Sequence, residues 1–261
     1  MSVKIESSKE TPLQSLLKAY DTLFPKQRSE PVLIHKIDLS DVYRHLMKQM
    51  KKITKWSMQC KEFAQLPFED KVKIYSNCWA HVFFLERCVL TTEIFAEGPP
   101  SLYSLTDSLA VDLFNFEYTL SNRDEEKLTQ FNDFVKSVNT DFTHNVVLPM
   151  RNLNLSRFEV VYLCLFKMWD IKKLEGLSPQ TYETAERILN DSNNELHSFY
   201  ATEKKMKNYV SRLSELFKLL IALTNNLKMR DEVYIAMAVF EMFPDTLLSE
   251  IQSFLKYFVE S

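Results

Sequence analysis

The chain has 261 residues, 46% of them apolar and 26% charged, which supports a large core and excludes wholesale disorder. Its net charge of −3 leaves no electrostatic footprint for nucleic acid, so direct DNA binding by this chain is not expected. Only two glycines occur, Gly98 and Gly176, where average usage of about 7% would give roughly eighteen; this excludes a turn-rich β fold and Gly-rich phosphate loops and leaves helix.

Residues 1–11 are polar and read as a flexible start without the apolar core of a secretory leader. Over 12–28, Leu13, Leu16, Leu17, Tyr20 and Phe24 fall on one helical face that Pro25 stops. A loop then runs to Asp38, where Ser40 or Asp41 can cap a helix carrying Val42, Leu46, Met50, Ile53 and Met58 that ends before Pro67. A second long helix over 68–92 is apolar almost all round at its centre, residues 78–85, which places it in the middle of a helical sandwich. Gly98, Pro99 and Pro100 break the helical pattern over 97–112 and leave room for a short β hairpin.

The helical period returns over 124–150 and again over 156–170. Gly176, Ser178 and Pro179 then mark one helix end and the next helix start. Two more long helices follow, 179–201 and 204–242, the second burying Leu213, Leu216, Phe217, Leu220, Leu223 and Leu227. Pro244 and Asp245 open a final helix with Leu247, Leu248, Ile251, Phe254, Leu255 and Phe258 as its apolar stripe. No repeat or linker divides the chain. The expectation is one all-α domain over 12–261, a three-layer antiparallel helical sandwich with at most a small β hairpin.

No run of about 18 uncharged apolar residues exists, so no membrane span is expected. Cys60, Cys78, Cys88 and Cys164 show no CxxC spacing and read as buried, reduced thiols; neither a metal nor a cofactor is expected. The histidines His35, His45, His81, His144 and His197 are scattered, with no HExxH and no nucleophile–base pattern, so an enzyme is not expected.

The segment KWSMQCKEFAQLPFEDKVKIYSNCW, residues 55–79, carries a tryptophan and a small residue, then FxxLxxxD, an apolar run and a second tryptophan. These are Trp56, Ser57, Phe63, Leu66, Asp70, Ile74, Tyr75 and Trp79. Phe63 and Leu66 are expected to pin the turn between two helices, and Asp70 to cap the second. The pattern resembles the signature of nuclear hormone receptor ligand-binding domains, with Lys71 where the usual glutamine stands. Three further stretches resemble that family in order: LPMRNLNLSRFEVVYLCLFKMWDIKKLEGLSP, RLSELFKLLIALTNNL, and Leu247-Leu248-Ser249-Glu250-Ile251, which is similar to the activation helix. The sparse glycine and the divergent signature look most like the nematode receptor group related to hepatocyte nuclear factor four. The family's zinc-finger module has no counterpart in these residues, which leaves open whether the chain is an excised domain or the whole protein lacks that module.

The resemblance implies a nuclear location and a final helix whose docking, biased by a ligand, completes a groove for the LxxLL helix of a coregulator. Carried over by position, the groove residues are Thr54, Lys55, Met58, Phe68, Lys71, Val72, Tyr75, Leu247, Leu248, Glu250 and Ile251. The family's clamp lysines fall on Met58 and Ser76, so Lys71 or Lys55 would have to substitute for them opposite Glu250. The lysines Lys48, Lys51, Lys52 and Lys55 form a basic stripe, either simply solvated or rimming that groove. The ligand-facing positions are Val42, Leu46, Gln49, Phe83, Phe84 and Arg87. The family's carboxylate-pairing arginine falls on Leu90, and Arg87, one turn earlier, either substitutes for it or faces a protein carboxylate. An apolar ligand such as a lipid or fatty acid is implied, or none, with a ligand-independent scaffold around a collapsed pocket as the alternative. The stretch 204–242 corresponds to the family's dimer helix, for a homo- or heterodimer.

Overall fold

The computed structural model describes residues 10–26, 30–120 and 125–239. Helix α1, Pro12–Leu23, starts with a capping box: Thr11 Oγ1 accepts from Gln14 N at 3.2 Å, and Thr11 N donates back to Gln14 Oε1. Its apolar face, Leu13, Leu16 and Tyr20, is fully buried, and the helix stops before Pro25 as expected. Strands β1, Val32–Ile34, and β2, Lys36–Asp38, lead into α2, Leu39–Ser57. Asp38 caps α2 by accepting from Ser40 N at 2.8 Å. Ser40 and Asp41, the expected caps, instead lie in the first turn, because β2 runs straight into the helix.

The helix expected to reach Pro67 breaks earlier. Cys60 takes an extended conformation, ψ 109°, and a short α3, Lys61–Ala64, precedes α4, Phe68–Ile94. Through the middle of the molecule α4 buries Ile74, Cys78, Val82, Leu85 and Cys88 completely. It packs along α7, Arg157–Trp169; α1 and α2 cover this pair on one side, and α9, Val210–Val239, on the other with α5, Glu125–Phe142. The result is the expected three-layer, mainly helical sandwich. The four cysteines are buried and unpaired, and burial pushes the Cys60 and Cys78 thiols up to about 12.

The hairpin falls inside 97–112: β3, Leu102–Ser104, runs antiparallel to β4, Leu109–Asp112, with Tyr103 opposite Val111. One parallel pairing, β1 on β4, extends it to three strands, and β2 pairs in parallel with β5, Glu117–Thr119, in a separate two-stranded sheet. Such long-range pairings leave no local pattern in segments three residues long.

The helix expected over 124–150 is divided into α5, a π-helical turn at Thr143–Val147 and α6, Leu148–Leu153. Pro149 has no N–H for the carbonyl four residues back, and the widened turn accommodates that missing bond. Ser156 and Glu159 form the capping box of α7. Gly176, φ +70°, ends the following turn, and Ser178 stands before Pro179 at the start of α8, Pro179–Ser198. A π-helical turn, Phe199–Glu203, and left-handed Lys205 interrupt the chain, so α9 begins at Val210 rather than at 204. It buries Leu216, Leu220 and Leu223 and half-buries Leu213, Phe217 and Leu227. The expected final helix from Pro244, with Leu247, Leu248, Glu250 and Ile251, lies outside the described residues.

Candidate functional site

The signature residues assemble the frame around two regions, a partly apolar surface on α2 and α4 and a polar cluster reaching the interior. Trp56 Nε1 donates to Leu16 O at 3.0 Å, tying α2 to α1, and Ser57 Oγ turns back onto Ile53 O. Phe63 meets Trp169 edge-on at 6.4 Å, and Leu66 is buried beside it in the same core. Asp70 does not cap its own helix, where Pro67 stands before the first turn with no side-chain bond. Its Oδ2 accepts instead from Ser178 N at 3.2 Å, Ser178 Oγ at 2.7 Å and Thr181 Oγ1 at 2.6 Å, so it caps α8 from across the molecule.

Burial works against the Asp70 charge, but the Thr181 and Ser178 hydrogen bonds outweigh it and hold the carboxyl below its usual range. A depressed folded-state value stabilises above the unfolded value and is lost as pH falls through the folded one. Asp70→Ala is therefore expected to lose about 1.5–3 kcal/mol near neutral pH, with the gap to wild type closing below about pH 4. Urea unfolding at several pH values measures this, and a gap that does not change with pH would show that the charge is not what matters.

The candidate coregulator-facing residues sit on the C-terminal half of α2, just beyond it and at the start of α4. Tyr75 Oη donates to Met50 O at 2.8 Å and joins the two helices. Met58 is 41% and Phe68 77% exposed, next to half-buried Val72 and Tyr75. Thr54, on the same exposed side, spends its hydroxyl on Met50 O. Lys71 Nζ donates to Ala64 O at 3.1 Å, the last carbonyl of α3, so its charge is already engaged by a helix C-terminus. Lys55 is exposed, and among the described residues its ammonium has no partner. In the basic stripe, Lys52 is drawn off to Asp107 at 2.8 Å, while Lys48 and Lys51 stay exposed.

Inside, Gln49, Phe83 and Arg87 are buried and Val42, Leu46 and Phe84 half-buried. Aromatic rings meet edge to face in a chain: Phe83 to Phe84 at 5.0 Å, Phe84 to Phe142 at 5.4 Å, and Phe142 to Tyr103 at 5.5 Å. The Arg230 guanidinium lies over Phe84 and Phe142 at 4.9 and 5.0 Å. Arg87, 1% exposed, has its Nε and Nη2 on Glu86 at 2.5 and 2.7 Å, and Nη2 also on Asp107 at 2.8 Å. Burial opposes the Arg87 charge, and the Glu86 and Asp107 carboxylates more than restore it. Burial, then the Arg87 charge, pushes His45 down to about 4, so it is neutral at physiological pH. Leu90 is buried and apolar.

Six of the sequence-derived residues, Val42, Leu46, Gln49, Phe83, Phe84 and Arg87, are thus buried or half-buried, while the seven from Thr54 to Tyr75 lie on α2 and α4 or just beyond α2 and are exposed or half-buried. Buried Tyr103, half-buried His45 and Lys52 and exposed Asp107 gather around Arg87, a grouping that sequence reasoning missed. Only the hairpin and the helix register bring them there, and the lysine stripe was the one local signal.

Three layers of helices, two small sheets and the signature residues tying α1, α2, α4 and α8 together describe a receptor-type ligand-binding domain. The family model "Ligand-binding domain of nuclear hormone receptor" matches residues 27–240, and the chain belongs to that family. The chain is similar to two Caenorhabditis elegans proteins, nuclear hormone receptor family members nhr-54 and nhr-103. It is 26% identical to the first over 87% of this chain and 56% of that protein. To the second it is 24% identical, over 89% of this chain and 61% of that protein. The chain therefore spans about half to three-fifths of the curated relatives it matches. The fold is similar to the Ultraspiracle ligand binding domain from Drosophila melanogaster, TM-score 0.64 at 13% identity, covering 85% of this chain and 89% of that one. The family is one of receptors rather than enzymes, in line with the scattered histidines.

Proposed function

We propose that residues 12–261 form the ligand-binding and transactivation domain of a nuclear, ligand-regulated transcription factor that recruits coregulators through an LxxLL helix. The observation that carries this is the exposed apolar pair Met58 and Phe68 beside half-buried Val72 and Tyr75, where an amphipathic helix can bury its own apolar face. Lys55 supplies the cation at one end of the groove and Glu250, from the final helix, the anion at the other. Val210, Ile221 and Ile235, all exposed on α9, fall within about 40° of one stripe at 100° per residue and suit a receptor partner, the same or different.

Binding of a fluorescent LxxLL peptide tests the groove. Wild-type binding that Glu250→Lys weakens about tenfold supports the clamp, whereas unchanged affinity removes it. No binding by the wild type would overturn the groove itself. A second reading, a ligand-independent scaffold, draws on the interior packing of Phe83, Phe84, Phe142, Tyr103 and Arg230. A thermal scan with a lipid extract separates the two, since a ligand that prefers the folded state raises the midpoint and a scaffold shows no shift.

A further inference from the structure

Residues 204–207 read Lys-Lys-Met-Lys, a K-K-x-K spacing, and Glu203 is the one acid between residues 198 and 212. The segment lies between a helix end and a helix start. The π-helical turn Phe199–Glu203 closes α8, and Asn208 Oδ1 accepts from Val210 N at 3.0 Å to open α9. Lys204, Lys205 and Lys207 are exposed, and Met206 is half-buried. Lys204 Nζ stands over the Phe199 ring at 5.4 Å, and among the described residues none of the three ammoniums has a carboxylate partner. Elsewhere on the surface Lys18, Lys36 and Lys218 each pair with a glutamate at 2.6–2.8 Å. On a chain of net charge −3 this loop is a local excess of positive charge.

The backbone holds the segment lightly. Lys204 N donates to Phe199 O at 3.0 Å and Met206 N to Tyr200 O at 2.9 Å, while Lys205 between them is left-handed at φ +53°. That region disfavours lysine, so straightening the segment relieves strain as it gives up those two bonds. Drawn out as a strand, it places Lys205 and Lys207 on one side about 7 Å apart and Lys204 on the other. The second basic run, Lys48, Lys51, Lys52 and Lys55, lies within α2 and cannot straighten without unfolding that helix.

Three kinds of polyanion attract lysines, and the loop suits them unequally. Duplex nucleic acid is held by many phosphate contacts, and three lysines supply few. Single strands need aromatic platforms, whereas Phe199 and Tyr200 are buried and Tyr200 stacks on Tyr209 at 4.8 Å. Anionic membranes are recognised by larger basic clusters, of about four to eight residues. A narrow protein groove fits best, with carboxylates for the ammoniums and aromatic faces for the lysine stems.

We infer that residues 204–207 are a nuclear import signal, taken in extended form by an import adaptor with such an acidic, aromatic-lined groove. The inference rests on the nuclear location proposed above.

The test measures binding of the full chain to a purified import adaptor freed of its own basic arm. Wild type is expected to bind, and Lys205→Asn, which accepts the left-handed backbone and removes only the charge, to bind at least about tenfold more weakly. Lys205→Arg, and Lys48→Gln on α2, are expected to bind as wild type does. No binding by wild type, or full binding by Lys205→Asn, overturns the inference. It is equally overturned if a DNA duplex or an anionic phosphatidylserine vesicle binds through Lys205 and the adaptor does not. In cells, the chain fused to a reporter too large to diffuse through nuclear pores is expected to accumulate in the nucleus, and the Lys205→Asn fusion to stay outside. Accumulation that survives Lys205→Asn overturns the signal and leaves the nuclear reading standing. A wild-type fusion that stays in the cytoplasm, with no adaptor binding, overturns both.

Discussion

Replacing Glu159 by alanine is expected to lower the free energy of unfolding by about 3–5 kcal/mol, a large part of what holds a domain of this size folded. Glu159 is 2% exposed and sits where three parts of the chain meet. Its Oε1 accepts from Arg212 Nε of α9 at 2.8 Å and from Tyr200 Oη, in the π-helical turn after α8, at 2.8 Å. Its Oε2 accepts from Arg212 Nη2 at 3.0 Å and from Ser156 N and Oγ at 2.8 Å each. Alanine removes the anion and leaves a guanidinium, a phenol and a helix cap without their acceptor, which is the costly way to break a buried pair. Arg212 Nη1 keeps Leu153 O at 2.6 Å, so the arginine cannot simply swing out to water.

The same network gives a pH dependence. Burial opposes the Glu159 charge, yet the Arg212 hydrogen bonds and those from Ser156 and Tyr200 outweigh it and hold the carboxyl below its usual range. The stabilisation is present above the unfolded carboxylate value and is lost as pH falls toward the folded one. Glu159→Gln, which keeps shape but not charge, should fall between wild type and Glu159→Ala at neutral pH and approach wild type in acid. Urea unfolding with an unchanged slope reads these differences. A loss below about 1 kcal/mol for Glu159→Ala would mean that the network contributes no more than an exposed pair.

Glu159 also shows how far the sequence reaches. Its capping role is legible, because Ser156 and Glu159 stand three apart before an apolar run. Its partnership with Arg212 is not, since 53 residues separate them and nothing local marks the pair. Asp70 follows the same rule more sharply. Its place at a helix start suggested a cap, and it is one, but for a helix 108 residues away. The helices are legible through their apolar spacing, and the breaks at Gly176 and Pro25 through backbone chemistry. The breaks at Cys60 and Lys205 are not, because neither residue type forces the conformation it adopts there. At the candidate site, Gln49 and Arg87 were reached through the family resemblance, as positions matching its ligand-facing ones. Their meaning depends on Asp107 and Tyr103, which the hairpin delivers from a segment without helical or strand periodicity of its own.

Val72→Arg is expected to weaken LxxLL peptide binding at least about thirty-fold while leaving stability within about 1 kcal/mol of wild type. Val72 lies between Phe68 and Tyr75 on one face of α4, at spacings of four and three, and is half-buried within the proposed peptide-binding surface. An arginine there can reach solvent in the free protein, because Val72 is only half-buried and Phe68, one turn earlier, is mostly exposed. A docked helix removes that escape and must either bury the guanidinium against leucines or fail to seat. The folded state thus tolerates the change and the complex does not, which separates recognition from folding in one variant. Phe68→Ala makes the complementary case, since it removes an apolar contact from an exposed position without adding charge, and about tenfold is the expected loss. Full peptide affinity in Val72→Arg would place the peptide elsewhere on the domain, and Lys55 would then lose its part in recognition together with the groove.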